Sequence, residues 1–118
     1  MSKTIASTIA AFAGEVVIPS RLTMPQVMAW EAATNEQAEF IQKLTEEKRE
    51  RFTFSEIDRI FTPILCELVE EWHIEGVPDK PTPDTFPGSP RLASHQLIEW
   101  IGGEIRKVYI GEIDIPNA

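Results

Sequence analysis

Between Trp72 and Trp100 the chain runs WHIEGVPDKPTPDTFPGSPRLASHQLIEW. Five of its nine prolines lie here: Pro78, Pro81, Pro83, Pro87 and Pro90. A flexible linker would be built from glycine and serine. This segment is stiff and carries the large apolar Phe86 in its middle. It restarts regular structure at Ser89-Pro90, an N-cap residue followed by proline at the first helical position. It therefore reads as a fixed crossing between two helices of one small fold, with Phe86 as its anchor.

Both flanks support that reading. Upstream, Thr53-Phe54-Ser55-Glu56 has the form of a capping box. Phe54, Ile57, Ile60, Phe61, Ile64, Leu65, Leu68, Val69 and Trp72 follow at helical spacing, the strongest amphipathic pattern in the chain. This predicts a central core helix over about 54–74, kinked or split near Thr62 by Pro63 and stopped by Gly76. Downstream, Leu97, Trp100, Ile101, Ile105, Val108 and Tyr109 predict a second core helix over 90–111, ended by Gly111. Gly102-Gly103 interrupt this stripe, and each glycine costs about 1 kcal/mol relative to alanine inside a helix. Their expected role is the close approach of another helix or of the proline-rich crossing.

The N-terminal half is less regular. Residues 4–18 are rich in Thr, Ile and Val and predict a short hairpin, or one strand near 14–18, ended by Pro19-Ser20. Thr23 and Gln26 form a capping box around Pro25, which opens a helix running to about Ala33 with Val27 and Trp30 on one side. A separate helix is expected from Asn35 to about Arg51, with Phe40, Ile41 and Leu44 as a narrow stripe. The run EEKRER at 46–51 reads as a solvated face, in which Glu46 and Glu50 repel and Glu47 and Arg51 attract. The tail 112–118 has no periodicity. The expected architecture is thus mainly α. A single domain of 118 residues holds about four helices, with an extended or β element over 1–20, helices over 21–76, a proline-rich connection over 77–89 and a C-terminal helix over 90–111.

Composition narrows the function classes. A formal charge of −8 disfavours nucleic acid, which needs clustered Lys and Arg, and suits solubility or a basic partner. No apolar run approaches the roughly 20 residues that span a bilayer. Lys3 and the mildly apolar run from Ile5 to Ala13 are interrupted by Ser7 and Thr8 and lack leucine, so an ordinary folded segment is expected there rather than a secretory signal. The single cysteine, Cys66, rules out an internal disulfide and reads as a small core residue.

No chemistry-bearing constellation stands out. Glu70 and His73 have the Glu-x-x-His spacing of carboxylate-bridged di-metal bundles. The other histidine, His95, has leucine at 92, so half of the ligand set is missing and a solvated acidic helix end is expected instead. His95 and Glu99 share a helix face, but a catalytic role also needs a nucleophile or substrate group within reach. There is no phosphate loop, nucleophile elbow or Cys-x-x-Cys. The reading is of a non-enzyme without metal or cofactor. Trp30, Trp72 and Trp100 read chiefly as core, although large aromatics also dominate binding hot spots.

Two stretches carry a resemblance. The first is Gly14-Glu-Val-Val-Ile-Pro-Ser-Arg-Leu-Thr-Met-Pro-Gln-Val-Met-Ala-Trp-Glu31: a glycine, a short extended run, proline, then Leu-Thr-x-Pro opening a helix with an aromatic and an acid. The second is Glu70-Glu-Trp-His, a glycine, Pro-Thr-Pro-Asp-Thr-Phe-Pro-Gly-Ser-Pro, and a helix bearing Leu-Ile-Glu-Trp-Ile. In order and spacing they resemble the tail assembly chaperones of long-tailed, siphovirus-like bacteriophages. They cover nearly half the chain, and residues 35–53 contribute nothing. The resemblance implies a non-catalytic role: binding the tape measure protein, keeping it soluble and helping to recruit tail tube subunits. That work takes place in the bacterial host cytoplasm during assembly, and such chaperones are absent from the finished virion. Self-association and a longer frameshifted product also belong to this picture. It supplies no catalytic residues. A groove beside the C-terminal helix, near Trp100 and Tyr109, with Trp30 as a further contact, is the expected binding surface for an apolar client helix. The alternative reading is a minor structural protein of the virion, a neck or tail-completion component.

Overall fold

Val16 and Ile18 lie on the same face of an extended segment and are almost completely buried, whereas Glu15 is exposed. This alternation makes Gly14–Pro19 a strand with one face in the core. The computed structural model describes residues 2–47 and 53–111. In chain order these form β1 (Ser2–Ala6), a 3-10 turn (Ala10–Phe12), β2 (Gly14–Pro19), α1 (Met24–Glu46), α2 (Phe54–Leu68), β3 (Glu71–Ile74) and α3 (Arg91–Ile110). The strands make one antiparallel sheet with β2 in the centre. Ser2 pairs with Pro19 and Ala6 with Glu15 on one side, and Gly14 pairs with Ile74 and Val17 with Glu71 on the other.

The architecture is therefore α+β, with three helices and a three-stranded sheet among the described residues. The expectation of a mainly α domain of about four helices is corrected at two points. First, the helices expected at 21–33 and 35–51 are a single helix over the described residues, Met24–Glu46. Thr34 and Asn35 do not break it, because the Thr34 hydroxyl donates to the Glu31 carbonyl within the helix (3.0 Å). Trp30, Ala33, Phe40 and Leu44 face inward across the junction as one stripe. Second, the central helix ends at Leu68. Val69 is already extended, and the Glu70 N–H donates to the Val17 carbonyl. The next residues alternate, with Trp72 and Ile74 buried and Glu71 and His73 exposed, so they form β3 on the free edge of β2. Gly76 is thus not a helix stop. It turns the chain after β3 at a φ of +84°.

Of the other expectations, some hold and some do not. The N-terminal hairpin forms. Both capping boxes are present, with the Thr23 and Thr53 N–H groups donating to Gln26 Oε1 (2.8 Å) and Glu56 Oε2 (2.7 Å). Gly111 caps α3 in the left-handed conformation. Phe86 packs against the core with its ring edge-on to Trp72 at 5.7 Å. Pro63 is carried inside α2 without splitting it. The N-cap of α3 is Pro90, so the helix starts one residue later than the Ser89-Pro90 signal suggests. Gly102 and Gly103 do not mark a close approach, because a Cβ on either would meet nothing within 4 Å. The charged run beyond Glu47 and the tail 112–118 lie outside the described residues.

One core unites sheet and helices. Val16, Ile18, Trp72 and Ile74 from the strands pack with Trp30, Phe61, Leu65, Leu97, Ile101 and Ile105 from the helices. Of the helices, α2 packs against both α1 and α3, while α1 and α3 approach one another only sparsely.

Candidate functional site

Two neighbouring features stand out around α2. The first is a polar cluster buried between α2 and α3. Asp58 lies on the inward face of α2 and is only 5% exposed. His95, one turn into α3, directs Nδ1 to Asp58 Oδ1 (2.8 Å) and Nε2 to Glu99 Oε1 (2.5 Å). Arg91 pairs with the other oxygen of Asp58. The ring of Phe54 stacks on the imidazole at 4.0 Å, nearly parallel. Ser94, also buried, donates to the Pro87 carbonyl (2.7 Å) and fastens the proline-rich crossing to α3. A carboxylate as deep as Asp58 persists only when paired, and here His95 and Arg91 of the facing helix hold it.

The second feature is a cleft of about 280 Å³. It exists because α1 and α3 both rest on α2 yet hardly meet. Its floor is Ile57, Asp58 and Phe61 of α2, and its walls are Trp30, Thr34 and Gln37 of α1 and Ile98, Glu99, Gly102, Gly103 and Arg106 of α3. Trp30 and Phe61 touch ring to ring at 5.7 Å. At one end the walls are tied: the Tyr109 hydroxyl, one turn beyond Arg106, donates to Glu31 Oε2 (2.6 Å), next to Trp30. That bond, with a little burial and the charge of Glu31 added, raises the Tyr109 pKa above the ordinary phenol value. The cleft lies just below the roughly 300–1,000 Å³ of small-molecule pockets and suits a large side chain better than a cofactor. A smaller cleft of about 180 Å³ lies on the other side of Asp58, between α2 and the crossing.

The residues singled out in the sequence fall as follows. Trp30 is buried on the wall of the larger cleft and Tyr109 is exposed at its tied end. Trp100 is half-buried against the core and is not among the cleft residues. Glu70 and His73 sit at β3 rather than on a helix end. Residues three apart in extended chain point to opposite faces, so the Glu-x-x-His half-motif is dismantled, and His73 pairs instead with Glu71. Among the described residues no group of three or more His, Cys, Asp or Glu is placed to hold a metal ion, and no helix is long and apolar enough to cross a membrane. Cys66 is half-buried, and burial, with the charge of Glu67, pushes its thiol up to about 11.

Asp58 and Arg91 were not singled out in the sequence. The signal for Asp58 was present: it lies four residues from Phe54 and three from Phe61, a charge inside an apolar stripe. No family model, curated protein or solved structure matches the chain.

Proposed function

We propose that the protein is a tail assembly chaperone of a long-tailed bacteriophage. It binds the tape measure protein, keeps that long helical chain soluble and helps to recruit tail tube subunits, acting in the host cytoplasm. The observation that carries this reading is the open slot over α2, where two helices stand apart and leave a cleft whose aromatic and aliphatic lining is largely buried. A helical client with an apolar ridge is the natural complement of such a slot. The resemblance in residues 14–31 and 70–101 supports the same role. Those two stretches meet in the sheet, where β2 pairs with β3. The acidic balance of −8 keeps a chaperone of an aggregation-prone client soluble.

Co-expression with the tape measure protein of the same phage, followed by affinity capture, tests the reading. A soluble stoichiometric complex is expected, and tape measure protein that stays insoluble and uncaptured would refute it. Mass spectrometry of purified particles is the second arm. Stoichiometric presence in the virion would favour a minor structural component instead.

A further inference from the structure

The cleft over α2 presents charge in an unequal way. Both of its carboxylates are engaged: Asp58 by Arg91 and His95, and Glu99 by His95. Arg106, on the α3 wall, is exposed and forms no ion pair among the described residues. Among the described residues, the uncommitted charge at this cleft is therefore a cation, set beside a lining that includes the largely buried rings of Trp30 and Phe61. Between them, Gly102 and Gly103 leave the α3 wall bare, with open space where side chains would stand. A pair of glycines inside a helix is unfavourable by itself, and here no contact inside the chain requires them. They allow a partner backbone to come close.

We infer that this cleft is where the client docks, and that it recognises an amphipathic helix of defined chemistry. One large apolar side chain enters against Trp30 and Phe61, and a carboxylate one turn away on the same helix pairs with Arg106. The net charge alone would point to a basic partner; the local arrangement selects an apolar segment flanked by acid. This inference rests on the chaperone reading and names the client segment that the reading leaves open.

The tape measure protein of the same phage is the probe, captured by the full chain and by variants G102L and R106E. A Cβ at position 102 meets nothing within 4 Å and G102L removes a helix glycine, so it is expected to melt at or above the wild-type temperature. Its capture of the probe should nevertheless fall at least about tenfold, the loss typical of a blocked hot spot. R106E should lose affinity to a similar degree, and replacing the acidic residues of the bound tape measure segment with lysine should restore it. Wild-type capture with both variants binding at full strength would overturn the docking site and leave the chaperone reading intact. Absence of wild-type capture would remove the chaperone reading, and this inference with it. A client-free dimer in light scattering that G102L dissociates would give the cleft to a second copy of the chain and likewise overturn the inference.

Discussion

Asp58 is the residue whose environment departs most from its type. A carboxylate inside an apolar helix face is tolerated because Arg91 and His95 meet it from α3. Removing it would leave two donors facing a void, and breaking one side of a buried ion pair typically costs about 3–5 kcal/mol. Arg91 is partly exposed and water can still reach it, so Asp58→Ala is expected to destabilise by about 3 kcal/mol in a urea melt. Glu99 contacts the same imidazole, but its side chain is 64% exposed. Glu99→Ala should therefore cost less than about 1 kcal/mol. Cys66 offers a second check. With its pKa near 11, only roughly one thiol in a thousand is ionised at pH 8, and the thiolate is the reactive form. Labelling by a maleimide should be slow in the native protein, accelerate as the pH climbs toward 11, and become fast at pH 8 once denaturant exposes the thiol.

At the scale of elements, the junction of β2 and β3 is the least forgiving. Gly14 holds a φ of +133°, and a Cβ there would stand 1.9 Å from the His73 carbonyl oxygen. Both strain and backbone collision oppose a side chain, so Gly14→Ala is expected to cost about 3 kcal/mol or more and to loosen β3, seen as lost amide protection at Trp72 and Ile74. The glycines of α3 behave oppositely. Gly102→Ala meets only open space and should stabilise by about 1 kcal/mol through helix propensity alone, read as a raised melting temperature. The contrast shows why glycine in a sequence is ambiguous: one position is demanded by backbone geometry, the other is free within the chain and so available to a partner.

Over the whole molecule, sheet and helices share one core. Trp72 of β3, Trp30 of α1 and Leu97 of α3 belong to the same buried cluster. No layer can lose its packing while the others keep theirs, so unfolding should be cooperative. Far-UV circular dichroism and tryptophan fluorescence are expected to give superimposable urea transitions, and separated midpoints would show that the hairpin or α1 melts independently.

Local signals in the sequence were sufficient for much of this. The capping boxes at Thr23 and Thr53, the apolar stripe of α2 through Leu68, the glycine end of α3 and the inward-facing Phe86 all depend on interactions within a few residues or on strong periodicity, and all were legible, whereas the N-terminal segment left a hairpin and a single strand both open. What tertiary structure alone decided lies where two periodicities fit the same residues. Leu68, Val69 and Trp72 suit a helical stripe, while Trp72 and Ile74 suit an alternating strand. The free edge of β2, with backbone groups that need partners, resolved the choice in favour of β3 and so made an α+β fold of an apparently helical sequence. Likewise Asn35 looked like a helix start until the continuous inward stripe of α1 found its place on α2. The polar cluster and the cleft were hidden for the same reason. Asp58 and His95 are 37 residues apart, and the space between α1 and α3 is a property of how both helices rest on α2, which no stretch of sequence contains by itself.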